Sequence, residues 1–315
     1  MGRIQIKATF LDEISTDIPH QNWGYEEWAR DFEAMRAVGI DTVVLIRCGL
    51  EKFITYPSDI LMKERGAYRP PVDLVEMFLD LADKHDMRFF FGTYVGQRKW
   101  YGEEVDFRAE CDLDKRIAEE AWTRYNRHPS FKGWYLSKEI STYRAGVVEE
   151  FVELGQFCKK LSGNLPVLIS PGMKGRKAWQ NGDPAAHDLD FEKHLADWDR
   201  IMGRISGTVD IIAFQDGHLI YEELPEALKI NKALADKHGI ESWTNTESFD
   251  RDMPWRFPPI KWEKMLLKLR AAESVGIERA MTFEFSHFMS PNSMWPSAHG
   301  LYKRYREYLR GEFDR

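Results

Sequence analysis

Glu139, Asp216, Glu247 and Glu284 each stand at the end of a short apolar run of the chain. A lone acidic residue in such a place is commonly a helix N-cap or half of an ion pair. Acidic residues ending the fourth, sixth, seventh and eighth runs raise a further expectation, because a barrel would bring them to one mouth. Two carboxyls held across one bond divide its cleavage between a proton donor and a nucleophile or base, and hydrolysis of a glycosidic bond needs that pair. The donor must keep its proton near neutral pH, which burial and a neighbouring carboxylate arrange; the other group must stay ionised, which a guanidinium arranges. Arg47, ending the second run, is the natural cation for that. Strand side chains alternate, so Tyr135 and Ser137 share a face with Glu139, and Trp243 and Asn245 share one with Glu247.

Other polar and aromatic residues fall at equivalent places. Asp12 and Glu13 follow the first run, Tyr94 and Gln97 the third, and His287 the eighth. His20, Gln21, Asn22 and Trp23 lie beyond the first run, where they suit either a sugar site or a turn leading into a helix with Asn22 as its cap. The chain has 11 Trp. Trp100 with Tyr101, Trp179, Trp255 and Trp295 fall in segments after the third, fifth, seventh and eighth runs, where stacking on a sugar competes with loop packing. Trp122, Trp198 and Trp262 fall on helical patterns and are expected in the core.

These residues need elements to hold them. Apolar runs at Ile4–Phe10, Thr42–Ile46, Met87–Val95, Phe131–Leu136, Leu165–Ser170, Val209–Phe214, Glu241–Thr246 and Ala280–Phe285 read as strands buried on both faces. Between and after them, 3.6-residue periodicity predicts helices over Tyr25–Val38, Val72–His85, Asp112–Asn126, Ala145–Leu161, Leu189–Ile205, Tyr221–His238, Ile260–Val275 and Ala298–Leu309. Helix-to-strand joints are short and carry glycine at Gly39, Gly163, Gly239 and Gly276. Strand-to-helix segments are long: Leu11–Gly24, Cys48–Pro71, Gly96–Cys111, Pro171–Asp188, Ser248–Pro259 and Ser286–Ser297. Short capped joints on one side and long loops on the other predict an α/β chain, one (β/α)8 barrel over residues 1–315 with its site on the long-loop face. An open doubly wound sheet fits less well, since no glycine-rich phosphate loop follows the first strand.

Composition narrows the partners. The 315 residues are 43% hydrophobic and 30% charged, with a net charge of −7. That balance argues against nucleic acid and against an anionic membrane surface, both of which call for a basic patch. No apolar run is long enough to span a bilayer, and Met1–Lys7 leads straight into a strand pattern without the apolar stretch of a signal peptide. Cys48, Cys111 and Cys158 are too scattered for a disulfide framework or zinc motif and are expected as reduced thiols in a cytoplasmic protein.

The segments "TFLDEISTDIPHQNWG", "GIDTVVLIRCG", "FFFGTY" and "GWYLSKE" resemble a bacterial family filed as domain of unknown function 4434, which is regarded as a TIM barrel of glycoside-hydrolase type. More distantly, the chain is similar to the clan of retaining TIM-barrel glycoside hydrolases. That resemblance implies Glu139 as acid/base on strand four, Glu247 as nucleophile on strand seven and Arg47 as the arginine after strand two. Two positions depart from the clan. Lys138 stands where it has Asn, and Glu284 stands where it has an aromatic.

The expectation is therefore a glycoside hydrolase without cofactor or metal. Glu139 and Glu247 are the catalytic pair, with Arg47 and Asn245 holding Glu247. Arg47, Asn22, Tyr94, Trp100, Asp216, Asn245, Glu284, His287 and Trp295 are the candidates for binding a carbohydrate. A metal-dependent sugar isomerase or epimerase is the alternative, using Glu139, Asp216, Glu247, Glu284 and His287 as ligands, although no His-x-His or His-Glu-x-x-His spacing supports it. A non-catalytic carbohydrate-binding barrel is the third reading.

Overall fold

The computed structural model describes residues 3–15, 18–97, 105–177, 188–253 and 257–314. In chain order its elements are β1 (Gln5–Leu11), α1 (Tyr25–Ala37), β2 (Thr42–Leu45), β3 (Gly49–Leu50), β4 (Phe53–Ile54), α2 (Asp59–Glu64), α3 (Leu74–Lys84), β5 (Arg88–Gly92), β6 (Tyr94–Val95), α4 (Phe107–Tyr125), β7 (Phe131–Tyr135) and α5 (Val147–Leu161). They continue with β8 (Val167–Ile169), α6 (Phe191–Ile205), β9 (Ile211–Gln215), α7 (Leu224–His238), β10 (Glu241–Asn245), α8 (Trp262–Ser274), β11 (Arg279–Thr282), α9 (Phe285–Phe288) and α10 (Pro296–Leu309). Strands β1, β2, β5, β7, β8, β9, β10 and β11 pair in that circular order, and β11 returns to β1. Every pairing is parallel, so the fold is the expected (β/α)8 barrel.

Alternation along each strand makes two cores. Phe10, Val44, Phe90, Tyr135, Leu168, Ala213, Trp243 and Met281 fill the barrel interior. Their strand neighbours Val43, Leu45, Phe91, Trp134, Leu136, Ile212 and Phe214 pack outward against the helices, with Trp198 and Trp262 among them. Both faces being apolar explains why the strands read as unbroken hydrophobic runs. Gly39, Gly163, Gly239 and Gly276 all adopt positive φ, between 66° and 83°, which lets each helix stop and the next strand start within a few residues.

The long-loop face departs from expectation in detail. The segment after β2 folds into β3, β4 and α2, and β3 also pairs with β6, giving a small sheet in the order β4-β3-β6. Helix α4 starts more than a turn earlier than its apolar pattern, because Asp106 Oδ1 accepts hydrogen bonds from the Arg108 and Ala109 N–H groups at 3.1 and 3.0 Å. Helix α7 starts later, at Leu224, with Pro225 in its first turn. Gly24, not Asn22, caps α1; Asn22 is exposed and sits in the turn before it at φ 55°. Among the described residues no helix is long and apolar enough to cross a membrane.

Candidate active site

Glu247 stands two residues beyond β10, on the face of Asn245 and Trp243. The residue is 3% exposed. Arg251, four residues on, grips it as a fork: Nε donates to Oε2 and Nη2 to Oε1, both at 2.8 Å. The backbone of Glu247 is fixed as well. Its N–H donates to Asp216 Oδ1 at 3.1 Å, and Lys268 Nζ donates to its carbonyl at 3.0 Å and to Asp216 Oδ1 at 2.7 Å. Burial pushes the Glu247 carboxyl up, but Arg251, Lys268 and His218 outweigh it and hold the group below the ordinary glutamate value. Gly217 lies against this arrangement. A Cβ there would sit 1.5 Å from Glu247 Oε2 and 2.5 Å from Arg251 Nε, so no other residue fits while the fork is formed.

Glu139 lies beyond β7 and is half-buried. The Tyr135 hydroxyl donates to its Oε1 at 3.4 Å. Burial raises the Glu139 carboxyl above its ordinary value. The Arg47 charge and hydrogen bonds from Gln215 and Tyr135 draw it back part of the way, and the charge of Glu247 lifts it again. Glu139 and Glu247 therefore share one electrostatic environment, one inclined to keep its proton and the other ionised. Lys138, next to Glu139 in the chain, turns outward. Its ammonium is buried against Glu150 of α5 and lies 3.5 Å from Asp114 of α4.

Several candidates have other duties. Arg47 acts on Glu139, whereas the guanidinium on Glu247 is that of Arg251; this corrects the expected partnership. Asn245 does not hold Glu247 either. It reaches across to β8, where Nδ2 donates to Ser170 Oγ at 3.0 Å. Asp216 is buried beneath Glu247 and engaged by Lys268, its carboxyl raised by burial in spite of that cation. Tyr94 is buried in the outer core, and its hydroxyl donates to the Glu51 carbonyl at 2.6 Å, tying β6 to the β3–β4 turn. Glu284 is fully buried as the N-cap of α9, accepting from the Ser286 and His287 N–H groups at 2.9 and 2.8 Å, and its carboxylate also meets His287 Nδ1. Burial presses His287 toward neutrality, but that carboxylate prevails and carries it up to about 9.

Trp295 is half-buried ahead of α10, and its indole N–H meets no partner among the described residues. Trp100, Tyr101, Trp179 and Trp255 lie outside the described residues. Of the five ligands considered for an isomerase metal, only His287 belongs to a group with ligand spacing among the described residues, and its companions there are Glu13 and His20.

The residues that sequence reasoning missed are Arg251, Lys268, Gln215, Gly217 and Phe283. Arg251 and Lys268 belong to a loop and a helix whose return over the seventh strand only the fold reveals. Phe283 has a sequence signal, being an aromatic at the end of the eighth strand, one residue before Glu284. Its ring is half-buried, 5.9 Å from both Phe10 and Phe249, and the peptide joining it to Glu284 is cis.

The family described as a domain of unknown function, DUF4434, matches residues 6–295. A crystal structure from Bacteroides thetaiotaomicron VPI-5482, of a protein named as a "putative alpha-L-fucosidase", is 48% identical, with a TM-score of 0.92 over 98% of this chain and 94% of that one. A β-D-glucuronidase from Dictyoglomus thermophilum is 15% identical, with a TM-score of 0.56 over 97% of this chain and 50% of its own. A GH18 chitinase from Pseudoalteromonas aurantia is 8% identical, with a TM-score of 0.50 over 88% and 93%. These last two share the fold alone, and the chain spans about half the length of the glucuronidase. No curated protein matches the chain. With a match that runs from β1 to the start of α10, the chain belongs to the DUF4434 family.

Proposed function

We propose that the chain is a retaining glycoside hydrolase working from a single (β/α)8 domain, with Glu139 as acid/base and Glu247 as nucleophile. The observation that carries this reading is the placement of two carboxyls at the ends of the fourth and seventh barrel strands in opposite settings: Glu139 beside the Tyr135 hydroxyl, where burial raises it, and Glu247 gripped by the Arg251 fork, which holds it down. Glu139 gives its proton to the glycosidic oxygen as the bond to the anomeric carbon breaks. Glu247 attacks that carbon and forms a glycosyl ester. Glu139, now ionised, takes a proton from water, which displaces Glu247 and restores the free enzyme. Arg47 and Tyr135 flank Glu139 and steady it through the change of charge. Phe283 offers the apolar face on which a sugar ring stacks. Asn22, Trp100 and Trp295, in the segments of sequence after the first, third and eighth strands, are proposed to meet the outer part of the glycoside. Asp216, Asn245, Glu284 and Tyr94 are supports.

Because Lys138 points into the helix layer, the sugar is gripped without the amide that the retaining clan places beside its acid. The name carried by the Bacteroides protein makes an α-L-fucoside the first substrate to test. A panel of aryl glycosides including that one, with the anomer of the first product read by NMR, tests the reading: retention is expected. Glu247→Gln should abolish turnover. Glu139→Ala should keep activity toward aryl glycosides with good leaving groups and be rescued by azide as the glycosyl azide. Full activity in Glu247→Gln would overturn the assignment. An inverted product would recast Glu247 as base and predicts carboxyls about 6.5–9.5 Å apart rather than about 5–5.5 Å.

A further inference from the structure

Three nitrogen and oxygen donors converge where the first βα loop folds back against the end of the eighth barrel strand. Glu13 and His20 come from the loop after β1, and His287 comes from α9. One ligand atom from each lies within 4.8 Å of the others. His20 Nδ1 is 3.9 Å from Glu13 Oε2. Glu13 Oε1, His20 Nδ1 and His287 Nε2 are each buried without a hydrogen-bond partner among the described residues. His287 is 0% exposed, so its Nε2 has no recourse to solvent. Orphaned polar atoms at that depth are rare and need a reason. Glu13 has no Lys or Arg partner among the described residues.

The surroundings fix His287 for one task. Its Nδ1 is taken by Glu284, which the Ser286 and His287 N–H groups hold in place. That contact occupies Nδ1 and leaves Nε2 as the nitrogen open to a ligand, the carboxylate–histidine arrangement that orients an imidazole once a metal displaces its Nε2 proton. The loop is held in register by its neighbour Gln21, whose Nε2 donates to the Ser286 carbonyl at 2.9 Å and whose Oε1 accepts from the Met294 N–H at 2.7 Å. Two imidazoles and one carboxylate suit Zn²⁺ or a similar divalent transition metal, whereas Mg²⁺ and Ca²⁺ prefer oxygen donors throughout.

We propose that Glu13, His20 and His287 form a divalent transition-metal site, best matched to Zn²⁺, that pins the first βα loop to the end of the eighth barrel strand. The site goes beyond the hydrolytic reading, whose two carboxyls need no metal. Tetrahedral Zn²⁺ with bonds of about 2.1 Å sets its ligand atoms about 3.4 Å apart. His20, on the loop and a third exposed, supplies the small inward shift. Three protein ligands leave a fourth position for water.

The test is titration of the chelator-dialysed full chain with Zn²⁺ alone, by calorimetry, and with Co²⁺ alone, by visible absorption. One saturable equivalent is expected, with the d–d bands of Co²⁺ carrying nitrogen ligands. Glu284→Gln should weaken binding by about 10–100-fold, the usual loss when the carboxylate behind a ligating histidine is removed. His20→Ala and Glu13→Gln should weaken it at least as much. His20→Ala changes a loop residue that is a third exposed, so it remains informative if a His287 variant does not fold. The second carboxylate–histidine group, Glu76, Asp80 and His128, is the control: His128→Ala should leave the equivalent intact. Absence of saturable binding, unchanged binding in His20→Ala and Glu13→Gln, or loss in His128→Ala instead would each overturn the site.

Discussion

At the scale of single residues, the proposed chemistry depends on how closely Glu247 is held. Gly217→Ala places a methyl group inside the Glu247–Arg251 fork, 1.5 Å from a carboxylate oxygen, so the carboxylate must move. A displacement of about 1 Å at a reacting group costs roughly 100-fold, and kcat/KM of Gly217→Ala should fall by at least that much. Arg251→Gln makes a separate prediction. In the folded protein the Glu247 carboxyl lies below its unfolded value. Its ion pair therefore contributes stability that is present above the unfolded value and lost as pH falls through the folded one. Without Arg251, burial is left to act and the carboxyl rises. The acidic limb of the kcat/KM–pH profile should move to higher pH in Arg251→Gln, and an unmoved limb would count against Glu247 as the group seen there. The carboxylates themselves were legible because they end strands, a property of local sequence. Their partners were not. Arg47 looked like the cation for Glu247, but side-chain reach over a folded loop decides such matters, and Arg251 arrives first.

Elements set which side of the barrel each residue faces. The glycine joints and unbroken apolar runs were enough to read the eight strands, since both follow from parallel strands buried on two faces. Helix starts were less legible, because a cap such as Asp106 acts ahead of the apolar pattern. The sheet β4-β3-β6 has strands of two residues, too short to show any alternation. Lys138 was legible in principle. The alternation that turns Tyr135 and Glu139 inward also turns Lys138 outward, where it braces β7 against α4 and α5 through Asp114 and Glu150. Removing one member of a buried ionic group leaves charge uncompensated, at a cost of about 3–5 kcal/mol. Lys138→Met should lose that much in urea unfolding, and adding Asp114→Asn with Glu150→Gln should recover part of it. Lys138→Asn should destabilise similarly while bringing no gain in kcat/KM, since the new amide faces the helix layer. A gain would show that residue 138 reaches the substrate after all.

Across the whole molecule, the two ends of the barrel divide the work. The short-joint end is closed by Asp41, ahead of β2, which meets Arg279 of β11 and lies 3.3 Å from Arg88 of β5; Thr42 Oγ1 accepts from both arginines at 3.0 Å. The long-loop end holds Glu139, whose burial opposes its own charge. The contrast gives a paired prediction. Asp41→Asn breaks charge-assisted hydrogen bonds at a partly exposed position, so unfolding free energy should drop by about 1.5–3 kcal/mol, with kcat unchanged at temperatures where the protein stays folded. Glu139→Gln should do the reverse. A carboxyl raised in the folded state costs stability as pH climbs from the unfolded value through the folded one, so part of that cost is already present at neutral pH. Replacing it with a neutral amide removes the cost, so Tm should rise at pH 7 and the difference should shrink as pH falls below the unfolded value of about 4.3. Turnover of a glycoside with a poor leaving group should meanwhile be lost, because no proton is available for the departing oxygen. Thermal melts of the two variants across pH 4–8, set beside their kcat values, separate the ends. A Glu139→Gln protein that melts lower than the parent at pH 7 would mean that Glu139 serves as a structural anchor, and would remove it as the acid.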